Sequence, residues 1–398
     1  MTAGIICEYN PIHNGHLHQI EQTRQHLGHD CAIVCVMSGN FVQRGDFAVF
    51  SKHARAEAAI YAGADLVIEL PTPYALSSAE GFARAGVYLL QNLHICDYIS
   101  FGSESGDIAS LTAAATAMAS PDAARLTKQH LDSGISYAAA RQSAADTILG
   151  PLAGVFKSPN NLLGIEYIKA ITELGGEAPL KPFTVQRVGD MHDSATGCSG
   201  SALREILYRG DAPWSHMPQA SADVYKREIA HGRGPVSLGH AELALMSRLR
   251  AAMLDDFAAL PGVSEGIEHL FLKCAMSQPT VAEVLNEVKS KRYAMSRLRR
   301  MLMCLCLGIT AEDTAAPPPY IRVLAMNNAG RSLLKKAQAK TTLPIITKPA
   351  SVHALPHNAR NLFNKEAAAT DLYTLAYADK HSRHGGQEWT ISPCVVVD

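Results

Sequence analysis

The chain has 398 residues, of which 47% are hydrophobic and 18% charged, and its formal net charge is −1. That length predicts two domains, each large enough to bury a core of its own. Near-neutrality excludes a global field for nucleic acid or membranes, so any such contact has to come from a local patch.

No apolar run approaches the roughly 20 residues that span a bilayer, and the N-terminus lacks the basic segment of a signal peptide. These features predict a cytoplasmic protein with no membrane partner. The nine cysteines lie mostly inside apolar runs and form no C-x-x-C pair, which predicts reduced thiols and no zinc site.

In chain order, the first element is a short apolar strand from Gly4. It turns through Asn10-Pro11 and closes on His13 and His16, with Gly15 between them. Leu17–Leu27 reads as a helix. Cys31–Met37 is a second buried strand, followed by a polar loop through Arg44. Ser51 caps a helix over Lys52–Ala62. Asp65–Leu70 is a third strand, and Ser77 with Glu80 forms a capping box ahead of a helix reaching Asn92. Asp97–Phe101 is a fourth strand, with a Gly-rich loop at Gly102–Gly106. Alternating buried runs and helices predict an α/β fold with a Rossmann-like, doubly wound parallel sheet. In such sheets ligands bind beyond the carboxyl ends of the strands.

Ser105–Gly150 is Ala-rich and reads as helices, and a further helix starts at Ser158-Pro159-Asn160-Asn161. Phe183–Val188 is a strand. A flexible segment over Ser194–Gly200 precedes a short helix, Ser201–Arg209. Gly210 and Pro213 mark the expected boundary between residues 1–212 and a mostly helical domain over 213–398. There the helices are expected at Ala220–His231, His240–Phe257, Glu265–Met276 and Val281–Gly308. Tyr320–Met326 reads as a strand, and two more helices follow.

Two motifs carry chemistry. His13-Asn14-Gly15-His16 has the H-x-G-H form of the adenylyl-transferring nucleotidyltransferases. A strand, a tight turn and a helix start aim free N–H groups and a positive dipole end at a phosphate. The histidines add cationic or donor groups where charge develops as pyrophosphate leaves. The plain alternative is a turn with surface histidines, which the strand-turn-helix context disfavours. Ser199-Gly200-Ser201-Ala202-Leu203-Arg204 reads alone as a capped helix; beside the first motif it resembles a second phosphate contact through Ser201 and Arg204.

Lys289, Lys291, Arg292, Arg297, Arg299 and Arg300 fall within a stretch that holds no acid. On one helix, Arg292, Arg299 and Arg300 would share a side while Leu298, Leu302 and Leu305 point inward. This reads as a basic face for an RNA backbone, against the plain alternative of a solvated helix. Arg44, Lys52 and Arg187 are isolated cations near strand ends, either phosphate or RNA contacts or surface charge. Asp65 and Glu69 read as structural.

Several blocks resemble the bacterial tRNA(Met) cytidine acetate ligase family. They are Glu8-Tyr9-Asn10-Pro11 with the H-x-G-H motif, Met37-Ser38-Gly39 with Phe41–Gly45, Ala64–Pro71, Phe101–Glu104, Pro159-Asn160-Asn161 and Ser290–Tyr293. The resemblance implies a ligase that activates acetate with ATP as acetyl-adenylate. The acetyl group would then pass to N4 of the wobble cytidine of elongator tRNA(Met), with magnesium accompanying ATP and no DNA involved.

The family's ATP contacts carry over to Cys7, Glu8, Tyr9, Asn10, Pro11, His13, Gly15 and His16, to Gly102, to Asn160 or Asn161, and to Arg187. His13 and His16 would be catalytic. Arg44 joins Lys291, Arg292, Arg297, Arg299 and Arg300 as the expected tRNA contacts. Ile12 stands where an aromatic is usual, and Gly200 where Ala is more common. Two other readings stay open: a small-metabolite adenylyltransferase, and a non-catalytic RNA-binding protein on a nucleotide fold.

Overall fold

The computed structural model describes residues 1–176, 178–187, 199–263, 266–290 and 293–397. Eight strands form one sheet: β1 (Thr2–Cys7), β2 (Ala32–Ser38), β3 (Leu66–Leu70), β4 (Tyr98–Ser103), β5 (Lys181–Gln186), β6 (Ile321–Met326), β7 (Ile345–Ile346) and β8 (Cys394–Val395). The order is β8-β6-β3-β2-β1-β4-β5, with β7 beside β6. All neighbours run parallel except β3 and β6. Every residue of β1 is buried, as expected for a central strand covered on both faces. The chain winds outward from β1 through β2 to β3, then returns to β4 on the other side. The switch point therefore lies between β1 and β4, and the crevice outside their carboxyl ends is where such sheets take ligands.

The strand-helix alternation follows the sequence, with shifts at element ends. The first helix covers Asn14–Leu27 and starts three residues before the expected Leu17, because His13 itself is the cap. Ser51 caps Lys52–Tyr61 as expected. In the next helix, Ala79–Asn92, the cap is Ser78 rather than Ser77: Ser78 Oγ accepts from Gly81 N, while Ser77 Oγ donates to Tyr74 O. The Ala-rich stretch forms three helices, Ile108–Met118, Pro121–Asp132 and Tyr137–Leu149.

Two expectations for the second half need correction. The sheet does not stop at the expected boundary near residue 212: β6 pairs antiparallel with β3, and β8 pairs with β6. The β6 residues are all buried and pack with the sheet's cores, so the last fifth of the chain belongs to the same body as the first. Second, Val281–Gly308 is not one helix. Val281–Val288 ends at Lys289, whose backbone is extended, and Met295–Leu307 starts afresh after Ala294. Likewise, His240–Phe257 breaks into Glu242–Ala251 and Leu254–Ala258.

A buried ionic network ties the C-terminal segment to the sheet. Lys52 Nζ lies 2.7 Å from both Glu69 Oε1 and Glu388 Oε2, and all three side chains are at most 1% exposed. Burial alone would lower the Lys52 pKa, but Glu388, Glu69 and Glu366 outweigh it and raise it. Burial and the neighbouring Glu69 push Glu366 up to about 8. Asp65 is structural as well: its carboxylate takes Ile33 N, Arg24 and Asn327 Nδ2.

Candidate active site

The residues after β1 are held from below before any ligand arrives. Arg55, fully buried, donates to the carbonyls of Glu8, Ser38, Gly39 and Phe50. One guanidinium thus collects carbonyl groups at the carboxyl ends of β1 and β2. Asn10 Oδ1 accepts from Val49 N at 2.7 Å, and Ile12 N donates to Tyr225 OH at 3.2 Å. Tyr9 takes φ = 44°, a left-handed conformation that costs a non-glycine residue about 1–3 kcal/mol. Its hydroxyl faces Cys35 Sγ at 3.6 Å, so the Tyr9 side chain lies inside the core rather than in the crevice.

The two histidines are fixed by the backbone of their own turn. Gly15 N donates to His13 Nδ1 at 3.1 Å, and His13 N donates to His16 Nδ1 at 3.3 Å. Both Nδ1 atoms are therefore acceptors, which puts the ring proton on Nε2 in each case. The rings lie 3.9 Å apart at 31°. A Cβ at Gly15 would sit 2.9 Å from His13 Cε1, so glycine is needed for the ring to reach this cap. Burial, then Arg187, Arg204 and His216, lower His13 to about 4. Burial, His13 and Arg187 likewise lower His16. At neutral pH both are uncharged donors, which settles the cationic-or-donor choice left open by the sequence.

Arg204 closes over this turn. Its helix, Gly200–Tyr208, is capped by Ser199. Arg204 Nη1 donates to Asn10 O at 2.7 Å and Nη2 to Ser201 Oγ at 3.0 Å. The second motif, about 190 residues later in sequence, is thus joined to the first by a hydrogen bond. On the β4 side, Arg187 packs over Gly102: a Cβ there would lie 3.3 Å from Arg187 Cγ. Asn160 and Asn161 reach the same loop. Glu104 accepts from Asn160 N, Asn160 Nδ2 and Asn161 N, and Asn161 Oδ1 accepts from Ser105 N. Both asparagine side chains hold the β4 loop.

The basic stretch is arranged differently from its sequence appearance. Lys291 and Arg292 lie outside the described residues. Leu298 and Leu302 are fully buried, as expected. The hairpin Phe41–Val42 and Asp46–Phe47 packs on the helix Met295–Leu307. Gly45 (φ = 73°) makes this possible, since a Cβ there would fall 2.4 Å from Arg300 N. Arg299 pairs with Asp46 at 3.5 Å, Arg300 donates to Gln43 O at 3.4 Å, and Arg297 donates to Gly262 O and lies over Tyr293. The missing acid is therefore supplied by Asp46, some 250 residues away. Arg44 is exposed at the hairpin tip. Gln43 N donates to Glu8 Oε1 at 2.7 Å, which ties the hairpin carrying Arg44, and with it Arg299 and Arg300, to the residues that follow β1.

Three residues the sequence did not single out sit here. Arg55 organises the strand ends, Tyr225 holds Ile12, and His216 faces His13 with an unbonded, buried Nδ1. None lies in a recognisable motif, and each reaches the site only through the fold. Lys52, by contrast, belongs to the buried network and touches no crevice.

Comparison with known proteins agrees with this geometry. The HIGH nucleotidyl transferase family model matches residues 1–388. A tRNA(Met) cytidine acetate ligase of Acetivibrio thermocellus is 35% identical over 98% of both chains. One from Caldanaerobacter subterraneus is 38% identical over 94% of this chain and 95% of its own. A crystal structure of Thermotoga maritima TmcAL bound with alpha-thio ATP superposes with a TM-score of 0.92, at 30% identity and full coverage of both chains. The chain belongs to the tRNA(Met) cytidine acetate ligase family of HIGH nucleotidyltransferases.

Proposed function

We infer that the chain is an ATP-dependent ligase. It joins acetate to ATP as acetyl-adenylate with release of pyrophosphate, and passes the acetyl group to N4 of the wobble cytidine of elongator tRNA(Met). The observation that carries this reading is the pair of Nε2–H donors held by their own backbone turn at the sheet's switch point, under Arg204. Donors fixed before reaction stabilise charge that develops on the α-phosphate without reorganising, and removing one such donor typically costs about 100- to 1,000-fold in rate.

In this reading His13 and His16 meet the phosphates at the N-terminus of the first helix, whose dipole favours negative charge. Arg187 and Arg204 add the positive charge that neutral imidazoles do not. Glycine at Gly102 leaves room for the nucleotide beside Arg187, while Asn160 and Asn161 set the loop that lines it. Arg44, with Arg299 and Arg300 behind it, offers cations to an RNA backbone, and Arg297, stacked over the buried Tyr293, extends that surface.

The edge does not form a cage for magnesium. Among the described residues no three His, Cys, Asp or Glu side chains are grouped as ligands. Glu104 is held by the asparagines and Asp46 by Arg299. A magnesium ion would therefore arrive on the ATP phosphates with most of its water. No described helix is long and apolar enough to cross a membrane.

Incubation with ATP, labelled acetate and elongator tRNA(Met), followed by nucleoside analysis, tests the reading. Label in N4-acetylcytidine is expected. ATP turnover that ignores acetate and accumulates another adenylate would instead assign a small-metabolite adenylyltransferase, and no turnover a binding protein.

A further inference from the structure

The acetyl transfer needs a proton acceptor. The exocyclic N4 of cytidine donates its lone pair into the ring and is a weak nucleophile until a base takes its proton. The histidines of the turn cannot serve: each Nδ1 already accepts a backbone N–H, and each Nε2 carries the proton. Three carboxylates stand near the crevice. Glu104 has both oxygens engaged by Asn160 and Asn161. Asp46 faces Arg299 and accepts from its own neighbour, Phe47 N. Glu8 differs. Its Oε1 is anchored by Gln43 N at 2.7 Å, and among the described residues no donor meets Oε2.

We propose that Glu8 is the base of the transfer step, with Oε2 accepting the N4 proton of the incoming cytidine. This rests on the ligase reading above. Glu8 directly follows β1 in the nucleotide turn and is bonded to the hairpin that carries Arg44, so it stands where the adenylate and the RNA would meet. The N4 lone pair adds to the acetyl carbonyl carbon, and the bond from that carbon to the phosphate oxygen breaks. AMP leaves with the electron pair on that oxygen, and the N4 proton passes to Glu8. Atoms and charge balance without a further reactant. The groups facing Glu8 suit the role. Burial raises its pKa and so its basicity, while the Gln43 N–H, Arg55, Arg204 and Arg44 oppose that rise and favour the ionised form.

The test separates activation from transfer in Glu8→Gln and Glu8→Asp. Activation is read as acetate-dependent pyrophosphate exchange into ATP, and as trapping of the acetyl group by hydroxylamine, a nucleophile that needs no base. Transfer is read as N4-acetylcytidine formed in a single turnover. General-base loss typically costs about 100- to 10,000-fold. Glu8→Gln should therefore lower transfer at least about 30-fold more than exchange or trapping, and Glu8→Asp should recover part of it. Equal loss of all three readouts would make Glu8 a structural part of the nucleotide turn and overturn the proposal. So would full transfer in Glu8→Gln, or a transfer-selective loss in His216→Gln alone. If the wild-type protein makes exchange but no N4-acetylcytidine from any tRNA, the ligase reading falls first and the base with it.

Discussion

The floor and the rim of the crevice are built from the same kinds of residue and behave oppositely. Beneath the floor, Lys52 and Arg55 are buried and matched to carboxylates or carbonyls, and on the floor itself the two histidines are fixed by backbone N–H groups. On the rim, Arg44 and Arg187 are exposed, and Arg299 meets its acid only at 3.5 Å. The floor stores geometry; the rim keeps charge available. A change on the floor should cost stability or chemistry, and a change on the rim should cost binding.

The largest expected effect is on the floor. Lys52→Met would leave Glu69 without its ion-pair partner and Glu388 with Arg322 alone, 3.7 Å away, both carboxylates still buried; breaking a buried pair in this way costs about 3–5 kcal/mol. Denaturant unfolding measures it, and a loss under about 1 kcal/mol would place Lys52 among surface charges instead. Next comes His16→Ala, expected to slow acetate-dependent pyrophosphate exchange about 100- to 1,000-fold, with far less effect on unfolding. Unchanged exchange would remove His16 from the chemistry.

A pH experiment sharpens the floor further. Burial, then the neighbouring Arg187, Arg204 and His216, hold the His13 pKa down at about 4, against an ordinary value of 6.5. Between those values the unfolded chain binds a proton that the folded one does not, so stability falls as pH drops below 6.5. From pH 7 to pH 5 this amounts to about 2 kcal/mol for His13. The difference in unfolding free energy between the two pH values should shrink by about that amount in His13→Gln. An unchanged difference would mean that His13 is not desolvated. The smallest effect belongs to the rim. Arg44→Ala should weaken tRNA binding a few-fold and reduce the slope of log affinity against log salt by about one. A slope that stays fixed would show that Arg44 meets no phosphate.

Floor and rim also differ in how far they could be read from sequence. The nucleotide turn is local: strand, Asn10-Pro11 turn and histidines lie within sixteen residues, so pattern and chemistry coincide there. Six of the sheet's eight strands and the Ser51 cap were legible for the same reason. The basic surface was not, because its partners are remote. Asp46 neutralises Arg299 from another element, and the helix expected to carry Arg292 starts only at Met295. Arg44, Lys52 and Arg187 looked alike as isolated cations near strand ends. Lys52 turned out to be buried because Glu388, at the far end of the chain, folds back onto it. For the same reason, the boundary near residue 212 could not reveal that β6 and β8 complete the first sheet. Composition and period report what a segment buries, not which distant segment covers it.

The central claim is that acetate is activated at the β1 turn as an adenylate. It is tested most directly by supplying acetate labelled with oxygen-18 in both carboxyl oxygens, together with ATP and tRNA. Adenylate formation predicts one labelled oxygen in the AMP released and the other in N4-acetylcytidine. AMP free of label, or label in inorganic phosphate with ADP as the product, would contradict it.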